Sequence, residues 1–467
     1  MSSCFCWFQG VGEPDRAMNP NPIMTSVADV EFLVAESVWP DADRPDRFGA
    51  ETEAFPIVVE NGSPWGRLRL CEGSPSVVSI LDRAAAAHSE VLRRSTDKLA
   101  YPTRMGGRIT FEPGAQIEHS TSPAATAIEV VVELDAVWEA LRTTFWEDDV
   151  CLLSLGVDPW NEAKDIPQQL EEERYKAMAV HLGSRGPAGA EMMRNTSAFQ
   201  VNLDAGTGSI RQERWLVANL ISPVVTAMFA TSPGDGNRSL RAKAWQRLDP
   251  TRTGFPDWGS VEDADPMKDM VRRVLQADVM YIRRDHGTTP GRRGWSFGDW
   301  IRDGHPTVGH PTRADLETHL TTLFAEIRPR NGTLEFRGID GMPQRWWHVP
   351  LLIVGSLLYE PEARTQIIDE LSPNASRLDQ LWHLAASEGL ADPEIGLLAQ
   401  RVGEVALAAA RRSPGRFGHE MTRSTETFLE EFTFRGRSPG DDLLPLLKDP
   451  IRALSWANPD HAMKGAA

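Results

Sequence analysis

Glu51 and Glu53 lie two residues apart in a β-rich run, Arg47 to Val59 (RFGAETEAFPIVV). Residues spaced by two on a strand leave the same face, so this pair presents two carboxylates side by side. Like charges that close, once buried, cost on the order of several kcal/mol unless a cation neutralises them. The pair is therefore either a solvated strand face or half of a metal site. Glu112 and Glu118 bracket a Pro113-Gly114 break with Gln116 between them. The bend could bring both carboxylates towards one point, or be an ordinary exposed turn. Glutamates from two strands suit Mg²⁺, a hard cation that prefers oxygen ligands, better than zinc.

Two further segments alternate in the same way. Glu335 and Arg337 share a strand face, and Glu326 and Arg328 repeat the arrangement on the preceding arm. A glutamate there could hold metal while an arginine grips a phosphoryl or carboxylate oxygen. Cross-strand ion pairs facing solvent are the alternative. Gln200 and Asn202 alternate on Thr196 to Asp204 (TSAFQVNLD) and face either a ligand or water. His286, His305, His310 and His319 match no metal-ligand spacing and read as surface loop residues. No GxxxxGK[ST], GxSxG or HExxH occurs, which weighs against P-loop enzymes, serine hydrolases and zinc proteases.

The elements that must position these residues are mixed. Strands are expected at Arg47–Val59, Gly107–Glu118, Val150–Val157 and Thr196–Asp204, and a hairpin at Glu326–Arg337 turning on Asn331-Gly332. Helical patterns cover Ser76–Ser95, Thr126–Phe145, Arg211–Thr231, Pro343–Tyr359, Ala375–Gly389, Asp392–Arg412 and Thr422–Leu447. Pro233–Gly259 and His286–Pro311 read as Gly- and Pro-rich loop zones. Without regular βαβ alternation or repeats, the fold class is α+β with a largely antiparallel sheet. Residues 1–24 read as a loose extension, 25–450 as one catalytic domain and 451–467 as a tail.

The chain has 467 residues, 41% of them hydrophobic and a quarter charged, enough for a sizeable core. Its formal net charge of -17 repels phosphate backbones, so nucleic acid is not an expected partner. Divalent ions can still bridge its carboxylates to ATP. The longest apolar run, Val349 to Leu358, falls short of the ~20 residues that span a bilayer. Cys4, Cys6, Cys71 and Cys151 form no CxxC and no framework of close spacings, which fits a reducing cytoplasm.

Four stretches together resemble the plant-type glutamate–cysteine ligase family, which includes the bacterial ligases that open the ergothioneine pathway. Gly49-Ala50-Glu51-Thr52-Glu53 looks like its GxExE. Phe111-Glu112-Pro113-Gly114-Ala115-Gln116-Ile117-Glu118 looks like its EPGGQxE segment. Met192-Met193 with Gln200-Val201-Asn202-Leu203-Asp204 looks like its MM…QVNLD strand. Thr321-Thr322-Leu323-Phe324, Glu326-Ile327-Arg328 and Leu334-Glu335-Phe336-Arg337-Gly338 look like its TTLFPEVR…LEMRG hairpin. The similarity spans about residues 47 to 360.

The resemblance implies a glutamine-synthetase-like fold, an antiparallel sheet curved into a funnel with helices outside. It implies ATP-dependent activation of the glutamate γ-carboxylate, then displacement of phosphate by the cysteine amine. It also implies Glu51, Glu53, Glu112, Glu118 and Glu335 as Mg²⁺–ATP carboxylates. Gln116, Asn202 and Arg328 become nucleotide or polar contacts, and Glu53 and Arg337 the catalytic pair, with Arg337 on the transferred phosphoryl group. Two alternatives remain open, a ligase with another amine acceptor and a non-catalytic metabolite-binding relative. The chain departs from the pattern in places. Asn195 stands where an arginine follows the paired methionines, with Arg194 one position early. Ala115 replaces a glycine, His119 replaces an apolar residue, and no redox cysteine pair is found.

Overall fold

The computed structural model describes residues 21–41, 45–96, 99–284 and 287–459. Among the described residues eleven strands follow in chain order. They are β1 Phe48–Glu60, β2 Ser63–Arg67, β3 Tyr101–Pro102, β4 Arg108–Phe111, β5 Ile117–Ser120, β6 Val150–Leu153, β7 Phe199–Asp204, β8 Tyr281–Arg284, β9 Gly287–Pro290, β10 Ile327–Arg330 and β11 Thr333–Phe336. Nine of them form one sheet in the order β10-β11-β7-β1-β5-β4-β3, and β2 and β6 also pair with β1. Every pairing is antiparallel, as the α+β reading expects. β8 and β9 make a separate two-stranded ribbon.

Alternation divides the faces of the sheet. Ala50, Ala54, Ile109, Ile117, Phe199, Val201, Leu203, Leu334 and Phe336 are buried in the core. Helices Ala127–Trp146, Gly208–Met228 and His348–Tyr359 pack on that side, with Pro361–Leu371, Leu378–Ser387 and Pro393–Arg412 stacked beyond them. Phe199 stacks on Trp347 at 6.2 Å, and Phe48 meets Tyr359 edge-on at 5.0 Å. Such aromatic pairs add roughly 0.5–1.5 kcal/mol beyond their burial. A second, smaller core sets Phe55, Ile57, Cys151 and Leu153 against Ala453, Leu454 and Ala457 of helix Pro450–Ala457. Met24 is buried, and its N–H donates to Pro311 O at 2.7 Å.

The β10–β11 hairpin turns at Asn331-Gly332, both left-handed (φ 46° and 75°), as its two-residue turn requires. Three expectations are corrected. The 233–259 loop zone holds helix Leu240–Gln246, started by Ser239, whose hydroxyl accepts from Ala242 N. The 286–311 zone holds β9 and helix Phe297–Asp303, started by a Ser296–Asp299 capping box. Helix His419–Glu431 stops before Gly436 (φ 66°) rather than running to Leu447. The histidine reading changes too. His319 is buried against Phe297, with Nε2 3.1 Å from Val274 O. His286, like Cys4 and Cys6, lies outside the described residues. Cys71 and Cys151 are free, and among the described residues no helix is long and apolar enough to cross a membrane.

Candidate active site

The face of the sheet opposite the helices carries the polar alternates, set in three rungs. On the first, Arg328 of β10 opposes Glu335 of β11, which opposes Asn202 of β7. On the second, Gln200 of β7 opposes Glu51 of β1, which opposes Ser120 of β5 and, beyond it, Arg108 of β4. On the third, Glu53 of β1 opposes Glu118 of β5, which opposes Thr110 of β4. Directly opposed residues of antiparallel strands share a face and stand about 4.5–5.5 Å apart at Cβ. Four glutamates from three strands therefore point into one region.

Hydrogen bonds tie the rungs together. Asn202 Nδ2 donates to Glu51 Oε1 at 3.3 Å, while Asn202 Oδ1 is buried without a partner. Ala198 N donates to Glu53 Oε2 at 3.1 Å. Thr110 Oγ1 donates to Glu118 Oε1 at 2.7 Å. Arg337 Nη1 donates to Gln200 Oε1 at 2.9 Å and lies 3.5 Å from Glu335 Oε2, which also accepts from Arg328 Nε.

The carboxylates differ in their electrostatics. Burial, then the charges of Glu118 and Glu335, push Glu51 up to about 7. Burial, then Glu118, push Glu53 up to about 8 against the pull of Arg241 and Arg337. At Glu335 burial works the same way, but Arg328, Arg337 and Arg330 together outweigh it and hold the carboxyl below its usual value. One edge of the face thus repels negative charge and the other is already neutralised by arginine.

Glu112 and Gln116 close the β4–β5 turn, with Glu112 N donating to Gln116 O at 3.0 Å. Glu112 lies just past the end of β4, outside the ladder in which Thr110 opposes Glu118. Gln116 is almost fully buried. Its Nε2 donates to Thr196 O at 2.9 Å, and its Oε1 has no partner. Ala115, where the resembling pattern has glycine, sits at φ 65°, a region that costs a residue with a Cβ about 1–2 kcal/mol. Asn195 is fully occupied. It accepts from Arg67 Nη2 and donates to Asn161 O, while Arg194 donates to Ile166 O. His119 lies on the helix side of the sheet, 3.6 Å from Glu133 Oε1.

Arg241, for which no role was expected, belongs to the site, and so does Glu326 of the alternating hairpin arm. Arg241 is buried on the short helix Leu240–Gln246. Its Nη2 donates to Arg337 O at 2.6 Å and its Nε has no partner. Arg241 and Arg337 both lie over Trp245, at 5.6 and 5.5 Å from the ring centre. Glu326, whose backbone O accepts from Arg337 N at 3.0 Å, is buried and pushed up to about 7 by burial, against the pull of Arg241 and Arg337. The only cue to Arg241 was a serine followed by a short helical stretch, and the surrounding glycines and prolines obscured it.

Comparison with known proteins decides what this polar face belongs to. The model of glutamate-cysteine ligase family 2 (GCS2) matches residues 47–455. The chain belongs to this glutamate–cysteine ligase family. It is thereby an enzyme, an ATP-dependent carboxylate–amine ligase of the glutamate–cysteine type. It is 34% identical over 350 residues to the glutamate–cysteine ligase EgtA of Mycolicibacterium smegmatis, covering 73% of this chain and 78% of that one. It is 28% identical over 347 residues to the chloroplastic glutamate–cysteine ligase of Medicago truncatula, covering 72% and 67%. The solved structure of a glutamate–cysteine ligase from Francisella tularensis in complex with AMP aligns over 92% of this chain and 91% of its own, with a TM-score of 0.51 at 12% identity. That likeness shows that the two chains share a fold.

Proposed function

We propose that this ligase makes γ-glutamylcysteine from glutamate, cysteine and ATP through γ-glutamyl phosphate, as a soluble cytoplasmic enzyme in thiol biosynthesis of the ergothioneine or glutathione type. The observation that carries the reading is the shared face of Glu51, Glu53, Glu118 and Glu335 beside Arg328 and Arg337.

The donors fit magnesium. They are carboxylate and amide oxygens, two of the carboxyls resist ionisation without a cation, and Asn202 Oδ1 is buried without a partner. Among the described residues no three carboxylate, imidazole or thiol groups make a metal site by themselves. Glu51, Glu53 and Glu118 would therefore hold Mg²⁺ in company with phosphate oxygens and water, with Glu335 at the arginine edge and Glu112 joining from the adjacent β4–β5 turn. Bound there, the metal supplies charge neutralisation for the triphosphate.

The protein's own groups do the rest. Arg337 and Arg328 face the side where negative charge grows on the transferred phosphoryl group, and their planar forks suit its oxygens. Arg241, whose charge Glu53 feels and whose Nε has no partner, suits a carboxylate of glutamate. Gln116, buried with a free Oε1, and Asn202 are further polar contacts. Trp245 covers both guanidinium groups and helps keep water from an acyl phosphate that water would hydrolyse. In the second step the amine nitrogen attacks the γ-carbonyl carbon, the carbon–oxygen bond to phosphate breaks, and inorganic phosphate leaves. Holding amine and acyl group together supplies much of the rate.

The test is the purified protein with ATP, Mg²⁺, glutamate and a panel of amines, followed by mass spectrometry and ADP release. A dipeptide of glutamate and cysteine, formed faster than products with alanine or 2-aminobutyrate, supports the reading. Cysteine no better than those amines would move the acceptor elsewhere. No Mg²⁺-dependent ADP release with any amine would end it.

A further inference from the structure

Asp340 is buried with both carboxylate oxygens engaged, and no step of the reaction calls on it. Its Oδ2 accepts from Thr231 N at 3.0 Å and from Ser232 Oγ at 2.6 Å, and its Oδ1 from Ser239 Oγ at 3.0 Å. These donors all lie in the segment leading into helix Leu240–Gln246. Ser239 is the N-cap of that helix, its hydroxyl accepting from Ala242 N at 3.0 Å. Ser232 Oγ accepts from Arg241 N at 3.2 Å, and Ser232 O from Leu240 N at 2.8 Å. Each hydroxyl thus donates to Asp340 and accepts from the first turn of the helix. One carboxylate fixes the start of the element that carries Arg241.

The same run of chain makes a second contact with that residue. Arg241 Nη2 donates to the carbonyl of Arg337, three residues before Asp340. The segment Arg337 to Asp340 therefore holds Arg241 at both ends, the backbone through Asp340 and the guanidinium through Arg337. Its own end is anchored by Gly341 N on Ser197 O at 2.9 Å. Gly156 makes room for the carboxylate, since a Cβ there would lie 2.5 Å from it.

We infer that Asp340 is a positioning residue for glutamate binding, setting the place of Arg241 against Glu53 and Arg337 through the Ser232 and Ser239 hydroxyls. This rests on the reading that Arg241 meets a glutamate carboxylate. Asp340 touches no substrate, so its loss acts through Arg241. A general loss of fold would instead lower the active fraction, and with it apparent kcat, without singling out KM for glutamate.

The experiment is a double-mutant cycle on the full-length enzyme, reading KM for glutamate, KM for ATP and kcat separately. Arg241→Ala and Asp340→Ala are each expected to raise KM for glutamate by about tenfold or more, with KM for ATP within about twofold of wild type. In the double variant Asp340→Ala should add no more than about twofold to Arg241→Ala, because the residue it positions is gone. Asp340→Asn, which keeps one acceptor oxygen, should recover part of the loss. Ser239→Ala should give a smaller rise in the same constant, and it carries the test if Asp340→Ala does not fold. If Arg241→Ala leaves KM for glutamate unchanged, the reading of Arg241 falls and this inference with it. If Arg241→Ala raises it while Asp340→Ala and Ser239→Ala do not, or if the effects of Arg241→Ala and Asp340→Ala simply add, the inference alone is overturned.

Discussion

Glu53 of β1 and Glu118 of β5 stand directly opposite each other in the antiparallel ladder, two carboxylates on one rung. Such a pair opposes folding unless something positive enters between them. For a ligase acting on ATP, that something is the metal–nucleotide complex. Replacing Glu53 with Gln should therefore lower kcat by on the order of a thousandfold or more while leaving the thermal midpoint at neutral pH no lower than in wild type. Near-normal turnover in Glu53→Gln would exclude a ligand role for that residue.

The raised carboxyls also fix the sign of a pH effect. Glu51 at about 7 and Glu53 at about 8 bind protons more tightly in the folded state than in the unfolded chain. Their contribution is present in full at low pH and is lost as pH rises from the ordinary carboxyl range through the folded values. In metal-free buffer the wild-type protein should lose stability between about pH 5 and 8 more steeply than Glu53→Gln, read as thermal midpoints across that range. Excess Mg²⁺–ATP should restore more stability at pH 8 than at pH 6, because ligation requires the ionised groups. Parallel wild-type and variant profiles would refute this account of Glu53.

Arg337 reaches Gln200 and Glu335 through the same nitrogen, Nη1. Arg337→Lys keeps the charge but not the geometry, so kcat should fall by about 10²- to 10³-fold with the fold retained. A loss confined to KM for ATP, with kcat unchanged, would mean that Arg337 binds ground-state nucleotide only.

Arg67 of β2 ties the loop at Asp158 to the end of helix Ala188–Asn195. It donates to Asp158 Oδ2 at 2.8 Å, to Arg194 O at 3.0 Å and to Asn195 Oδ1, and it lies over Phe55. Arg67→Met strands a fully buried Asp158 and should cost about 3–5 kcal/mol in denaturant unfolding. A change below about 1 kcal/mol would show that water replaces the guanidinium there.

What could be read beforehand was local. Glu51 with Glu53 and the Asn331-Gly332 hairpin follow from a period of two and from turn chemistry, which need only neighbouring residues. That β7 lies between β1 and β11, bringing Asn202 and Gln200 against Glu335 and Glu51, depends on long-range pairing that no short window contains. Glu112 lies just past β4, where the ladder that sets Thr110 opposite Glu118 has ended, so strand register does not fix the place of its carboxylate. Arg241 was hidden because its seven-residue helix is held by Asp340, about a hundred positions away in sequence, rather than by its own propensity.

Calorimetric titration of Mg²⁺–ATP into wild-type protein and Glu53→Gln at pH 7, repeated in buffers of different ionisation enthalpy, tests the central claim most directly. The account predicts metal-dependent nucleotide binding with net proton release in the wild type, because Glu51 and Glu53 must ionise to engage the metal. It predicts affinity weaker by about tenfold or more, with less proton release, in the variant. Equal affinity and equal proton release in the two proteins would contradict it.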